Sequence, residues 1–319
     1  MIQVKNLSKW YGPVKAVDDV SFRIREGEIV GFLGPNGAGK TTTLRILTCF
    51  MPASSGSASV AGHDVFTESM QVREKIGYLP ESVPLYPEMR VREYLNFRAK
   101  IRGIGSADRP AAIERVTRRC RVTEFIDRPI GQLSRGMKQR VGLSETLIHD
   151  PKALILDEPT VGLDPAQIRE TRNLIRELAK SHTVILSSHI LPEVEATCER
   201  IIVIAAGQIV AKGSPSELKE RITSSSRLIA EIRGPADAIK AAVGGLNGVG
   251  KVDGSLVDGW NHLIIEAQSG QDVREDIYNM ASKNGWALRE IRREVASLED
   301  FFVQITAQQN IEREGQSPT

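Results

Sequence analysis

The sequence predicts an α/β protein: a mainly parallel sheet core with an antiparallel β subdomain and a helical insertion, followed by a small α+β domain of ferredoxin-like order. Three stretches predict it. The apolar run Glu28–Leu33 leads into glycine-rich Gly34–Thr41 and then into the helical-looking TTTLRILTCF. Lys152–Leu156 and Thr183–Ser187 are largely uninterrupted apolar runs, the pattern of strands covered on both faces. Beyond Arg227 the periods restart in the order β-α-β-β-α-β.

Composition bounds the function. A chain of 319 residues predicts about two domains. Hydrophobic residues at 41% and charged residues at 26% supply a real core. A net charge of +2 provides no global field for nucleic acid or anionic lipid. Cys49, Cys120 and Cys198 are far apart with no C-x-x-C pair, which argues against a disulfide framework or a zinc site and suits a reducing compartment. No apolar run is long enough to span a bilayer, and MIQVKNLSKW carries no signal-peptide core. The expectation is an intracellular chain that borrows any membrane role from a partner.

Taken in order, Met1 to Arg25 alternate apolar and polar side chains and read as antiparallel strands joined at Tyr11-Gly12-Pro13. Trp10 and Tyr11 beside that turn either fill a core or offer a flat surface to a purine ring; position does not decide between them. Gly34-Pro35-Asn36-Gly37-Ala38-Gly39-Lys40-Thr41 fits G-x-x-x-x-G-K-[ST], whose glycines let backbone N–H groups close around nucleotide phosphates. Lys40 would reach the β- and γ-phosphates, the Thr41 hydroxyl would ligate Mg²⁺, and Thr42 follows at the positive end of the helix. The strand before and the helix after are what separates this loop from a chance glycine-rich turn.

Small residues from Pro52 to Ser59 lead to the strand SASVAG, and Glu74–Glu81 reads as a strand ending at a proline loop. The spacing of Val91, Tyr94, Leu95, Arg98 and Ile101 predicts a helix to Arg102. Pro110 opens another, with Ile113, Val116 and Cys120 on one face. Residues 82 to about 127 therefore read as a helical insertion. In LSRGMKQR, Leu133 to Arg140, Ser134 is a good N-cap for a helix carrying Val141, Leu143, Leu147 and Ile148. Arg135, Lys138 and Arg140 and the free N–H groups make that tip attractive to an anion, although Ser134 alone reads better as a plain cap.

KALILDEPT, Lys152 to Thr160, reads as a buried parallel strand that delivers Asp157 and Glu158 to its C-terminal edge, where ligands sit in open α/β sheets. One such acid can hold Mg²⁺ through its water shell; the other can deprotonate a water that attacks phosphorus. Solvated strand-end charges are the bland alternative, disfavoured by the apolar run and the phosphate loop. Gly162-Leu163-Asp164-Pro165 is a turn before a helix with Ile168, Leu174, Ile175 and Leu178 on its apolar face. Thr183–Ser187 ends at Ser188-His189. A lone strand-end histidine is more often structural, but this one shares the acids' sheet edge. The hairpin Ile201–Gly213 closes the first domain. Residues 214–227 read as a short helix and serine-rich linker, 228–307 as the second domain ending in a helix with Leu298, Phe301, Phe302 and Ile305, and 308–319 as a disordered tail.

The ordered set of motifs resembles the nucleotide-binding subunit of ABC transporters over residues 1 to about 213: the phosphate loop, LSRGM in place of an LSGGQ signature, LILDEPT, GLD and SSH. The resemblance implies a phosphate-loop ATPase cassette at 1–213, with a helical subdomain at about 82–150. YLPE, PLYPEMRVREYL and SLEDFF resemble the exporter branch, in ATPase subunits of multidrug export and gliding motility. The family's mechanism would place two ATP molecules between two such subunits. Ser134 and Gly136 would contact the γ-phosphate of the other subunit's ATP, Tyr11 would stack on adenine, and Asp164 would bridge the dimer. Glu158 would polarise the attacking water and His189 would sense the γ-phosphate. Integral membrane permease subunits would dock on the helical insertion, around Glu81 to Tyr94, from the cytoplasmic face of the membrane. The departures are Arg135 and Met137, where the family has Gly and Gln, and Glu81, where a Gln contacts Mg²⁺ and the water. A carboxylate there strengthens metal contact while lying close to phosphate charge.

Two rivals remain at this level. Soluble ABC-type ATPases acting on nucleic acid or ribosomes usually carry tandem cassettes or a long coiled-coil insertion; this chain has one cassette and a compact insertion, so no direct nucleic-acid contact is expected. A generic phosphate-loop kinase or GTPase would leave the signature unexplained, and the N-K-x-D element of GTPases is lacking.

Overall fold

The computed structural model describes residues 1–222, 226–268 and 271–294. The described residues divide into two compact units, one ending at Pro215 and the other beginning at Ser216. The helix expected around Leu298–Ile305, the tail from 308 and residues 223–225 of the expected linker lie outside the described residues.

In the first unit β1 (Ile2–Tyr11) and β2 (Val14–Ile24) pair antiparallel, and their inward residues, among them Val4, Leu7, Val20 and Phe22, are buried as the alternation predicts. β3 (Ile29–Leu33) is buried throughout and feeds the phosphate loop and α1 (Lys40–Leu47). β4 (Ser55–Val60) and the two-residue β5 (His63–Asp64) complete a sheet of order β2-β1-β4-β5. β4 starts inside the stretch expected as a turn, because pairing of Ser8 with Ser55 overrides the weak strand preference of Ser and Gly.

A helix intervenes next, α2 (Ser69–Lys75), before β6 (Ile76–Leu79). The expected strand over Glu74–Glu81 is therefore short by its first two residues. Only Val72 of α2 is buried, so no helical period shows in the sequence. α3 (Val91–Ile101), α4 (Arg109–Arg119) and α5 (Arg135–Leu147) form the helical insertion. Tyr94 is fully buried there, and its hydroxyl donates to Glu145, which also pairs with Arg98.

The remaining elements are β7 (Ala153–Leu156), α6 (Pro165–Ala179), β8 (Thr183–Ser188), α7 (Leu191–Glu195), β9 (Arg200–Ala205) and β10 (Gln208–Gly213), after which α8 (Pro215–Ile222) belongs to the second unit from Ser216 on. On α6, Thr171 takes a buried place, while Ile168 and Leu174 are only half-buried. The second sheet runs β10-β9-β3-β8-β7-β6, parallel from β9 to β6 with β10 antiparallel at one edge. Its register pairs Leu33 with Ser188 and Leu156 with Leu186. The ends of β3, β7 and β8 thus share one edge.

The second unit continues with β11 (Ser226–Arg233), α9 (Ala236–Gly244), β12 (Val249–Val257), β13 (Trp260–Ala267), α10 (Arg274–Lys283) and β14 (Ala287–Glu294). Its antiparallel sheet has the order β12-β13-β11-β14, the ferredoxin-like arrangement. Ile239 and Val243 of α9 and Ile277 of α10 share a core with Leu228, Ile232, Leu263 and Ile265.

Candidate active site

The phosphate loop turns tightly between β3 and α1. Gly39 has φ +102° and carries no Cβ because one would stand 2.4 Å from the Ala16 carbonyl oxygen. At Gly34 a Cβ would stand 2.3 Å from the Ile204 carbonyl oxygen. Glycine at Gly34 is a packing requirement, and at Gly39 it is a conformational one as well. With Gly39 as its N-cap, α1 has no side chain capping its first N–H groups, which leaves them for an anion. Lys40 folds back so that its ammonium donates to the carbonyls of Gly34 (2.7 Å) and Pro35 (3.2 Å).

The acids arrive from β7. Asp157 and Glu158 are both buried. The Thr41 hydroxyl donates to Asp157 Oδ1 at 3.2 Å, joining the helix start to the acid strand. Ser187 Oγ donates to the same Oδ1 at 2.6 Å and accepts from the Glu158 backbone N–H at 2.9 Å. Glu158 adopts φ +48°, a left-handed backbone that costs a side-chain-bearing residue about 1–2 kcal/mol. Such strain is characteristic of functional positions. Glu158 Oε2 lies 2.9 Å from His189 Nδ1. Its Oε1 lies 3.3 Å from Lys40 Nζ, yet it is buried and accepts no hydrogen bond. That acceptor has capacity left for a water. Tyr78 is pushed up to about 12 by burial and then by the charge of Asp157, so it stays a neutral phenol.

Glu158, His189 and the loop from Asn36 to Thr42 line a cavity of about 610 Å³ with Ala16, Glu81 and Val161, and Asp157 joins it through its hydrogen bond from Thr41. It is large enough for a triphosphate and is rich in backbone N–H groups on the loop side. Among the described residues no cluster of three His, Cys, Asp or Glu could hold a metal by itself. Thr41 and Asp157 are hard oxygen donors, and Mg²⁺ is normally bound by one or two carboxylates with the rest from water and substrate phosphate. The donor set therefore fits an ion that arrives with a nucleotide.

Of the residues singled out in the sequence, the loop, Asp157, Glu158, Glu81 and His189 come together. Tyr11 does not line the cavity; it is half-exposed, and its hydroxyl donates to Met51 Sδ at 3.0 Å. Ser134 and Gly136 lie outside it at the start of α5, where Ser134 Oγ accepts from the Met137 N–H at 3.3 Å. Asp164 caps α6, accepting from the N–H groups of Ala166 and Gln167 at 3.0 and 2.9 Å. Ser187 was missed, as was Glu193, a buried carboxylate that accepts from Thr160 Oγ1 at 2.5 Å behind the acid loop. A hydroxyl-rich strand end beside an acid-ended strand was the available signal for Ser187.

A phosphate loop at the end of one parallel strand, with two buried acids at the end of another on the same edge, defines a phosphate-loop nucleotide hydrolase. The chain matches the ABC transporter family over residues 17–161. It is 31% identical over 307 residues to the linearmycin resistance ATP-binding protein LnrL of Bacillus subtilis, across 96% of this chain and 98% of that one. It is 39% identical over 223 residues to the bacitracin transport ATP-binding protein BcrA of Bacillus licheniformis, across 69% of this chain and 72% of the relative. Among solved structures, a post-hydrolysis dimer of an ATP-binding cassette bound to ADP and Pi matches with a TM-score of 0.62 at 25% identity, covering 67% of this chain and 98% of that one. The chain belongs to the ATP-binding proteins of the ABC transporter family. It is an ATP-binding, ATP-hydrolysing enzyme of that family.

Proposed function

We propose that this chain powers an export-type membrane transporter by closing against a second ATP-binding subunit, most simply a second copy of itself. The observation that carries the reading is the placement of α5. Its start, with Ser134 and Gly136, lies outside the cavity that the same chain's loop and acids line. A helix N-terminus of that kind is suited to an anion, and the ATP of a second subunit supplies one. The export direction is supported by LnrL, named for resistance, which aligns along nearly the whole chain.

In this reading the residues divide the work. The loop from Gly34 to Thr42 cradles the phosphates, Lys40 turns from the backbone carbonyls to the β- and γ-phosphates, and Tyr11 takes the adenine ring. Thr41 and Asp157, with Glu81 at the cavity wall, would hold Mg²⁺, which would supply positive charge beside the phosphates. Glu158 accepts a proton from the water whose oxygen bonds to the γ-phosphorus as the bond to ADP breaks. His189 holds Glu158 in place through Oε2 and senses the γ-phosphate, while Asp164 meets the other subunit.

Among the described residues no helix is long and apolar enough to cross a membrane. The permease would dock in a cleft of about 760 Å³ between the end of α1, α2 and α3. Phe50, Met70 and Ile101 on its rim are 71%, 64% and 57% exposed, which is unusual for such side chains close together. No residue of the Glu81–Tyr94 segment expected from the sequence to receive the partner lines that cleft; Tyr94 reaches it through Glu145, which accepts from its hydroxyl. Mild-detergent capture of the full chain followed by mass spectrometry tests the assignment. A co-purifying integral membrane protein supports it. Ribosomes or nucleic acid in its place would overturn it in favour of a soluble ABC-type ATPase.

A further inference from the structure

Arg135 stands where the resembling family has glycine, and neither its helix nor an ion pair accounts for it. It occupies the first turn of α5, where a cation opposes the helix dipole. Among the described residues it has no carboxylate partner and makes no hydrogen bond. Its guanidinium instead lies against Gly162: a Cβ on that glycine would stand 2.2 Å from Nη1 and 2.3 Å from Cζ. Gly162, with φ +71°, follows Val161 of the cavity wall in the loop that begins at Glu158.

Further contacts tie the same two segments. Buried Gln139 of α5 donates from Nε2 to the Pro159 carbonyl at 3.0 Å, beside Glu158. The Gln167 side chain of α6 fills the space where Gly136 lacks a Cβ, with its Oε1 2.3 Å from that position. Arg140 pairs with Glu170 on α6. The loop from Glu158 is thus held from α5 at Pro159 and again at Gly162.

We infer that Arg135 is a positioning residue for hydrolysis: it links the start of α5 to the Glu158 loop, so that engagement of α5 by one ATP sets the carboxylate that acts on the other. The inference rests on the two-subunit reading above. A flat guanidinium can lie on a bare glycine Cα and move with it, whereas a lysine ammonium presents no such face. The Gln139 contact sets the loop's root, and Arg135 adjusts its far end.

The test is a double-mutant cycle on the full chain, with Arg135→Ala, Gly162→Ala, the double variant and Arg135→Lys. Arg135→Ala should lower kcat for ATP by roughly three- to tenfold, the scale of coupling between contacting residues, whatever change in KM follows from removing a cation at the α5 tip; a raised KM with wild-type kcat would assign Arg135 to anion binding alone. Its thermal stability should hold or rise, since a cation leaves a helix N-terminus, so a fall in kcat would not reflect unfolding. The double variant should be no slower than the slower single variant, and Arg135→Lys should not restore the rate. Additive losses, or wild-type kcat in Arg135→Ala, would overturn the inference. Light scattering of Glu158→Gln with ATP separates the two levels. A monomer would remove the two-subunit reading and this inference together; a dimer combined with wild-type kcat in Arg135→Ala would remove this inference alone.

Discussion

Lys40 Nζ and Glu158 Oε1 stand 3.3 Å apart, with side chains only 6% and 7% exposed. The cation that is to hold phosphate and the carboxylate that is to take a proton therefore neutralise each other. Phosphate must compete with Glu158 and with two backbone carbonyls for Lys40. In the proposed reading, binding ATP and freeing Glu158 from Lys40 would be one event.

The first prediction concerns Glu158→Gln. ATP binding is retained and turnover falls by roughly 10²–10⁴-fold, the usual scale for loss of a general base. Lys40 also loses its counter-charge, so the nucleotide-free variant is less stable by about 1–3 kcal/mol and gains more from ATP than the parent protein does. Phosphate release and thermal melts with and without ATP read both effects. Near-normal hydrolysis would sink the assignment.

Lys40→Ala removes the charge-assisted contact to phosphate. Affinity for ATP should drop by about 1.5–3 kcal/mol, or roughly ten- to 150-fold in Kd. Calorimetric titration measures it directly, and an unchanged Kd would count against the phosphate-loop role.

Ser187→Ala tests a residue that only the structure exposes. It removes the donor to Asp157 and leaves the buried Glu158 N–H without its acceptor. A stability loss of about 1–3 kcal/mol is expected, together with a shifted Mg²⁺ titration of ATPase activity. Wild-type stability and metal dependence would show that the bridge is dispensable.

His149 supplies a pH dependence. Burial, reinforced by the Arg102 charge, holds its pKa at about 4, below the ordinary 6.5. Its Nε2 donates to the Ile76 carbonyl at 2.9 Å, while Nδ1 is buried without a partner. The native state keeps the ring neutral, whereas the unfolded chain takes up a proton as pH falls below about 6.5. The contribution to stability is therefore full above that pH and is lost progressively down to about pH 4. Its size is on the order of 2 kcal/mol once partial exposure is allowed for. His149→Gln should flatten the loss across this window in urea titrations; an equally steep fall would assign it to other groups.

Much of the architecture is legible because it is written locally. Strand, phosphate loop and helix are contiguous from Glu28 to Leu47, and each carries its own signal. The four buried residues of β7 announce the acids that follow. α2 stayed hidden because a helix with one buried side chain has no period to read. The early start of β4 stayed hidden because its partner strand, and no preference of its own residues, extends it.

By itself the sequence determined which residues have the chemistry: a loop for phosphate, two acids at a strand end, and a capped helix that suits an anion. Only the tertiary structure decided which of them meet. Ser187 reaches Asp157 because the β7–β8 register sets Leu156 beside Leu186. Lys40 meets Glu158, and Arg135 lies on Gly162, through segments far apart in the chain. Local propensity and pattern act over a few neighbouring residues, whereas strand register and close packing set contacts across the whole chain.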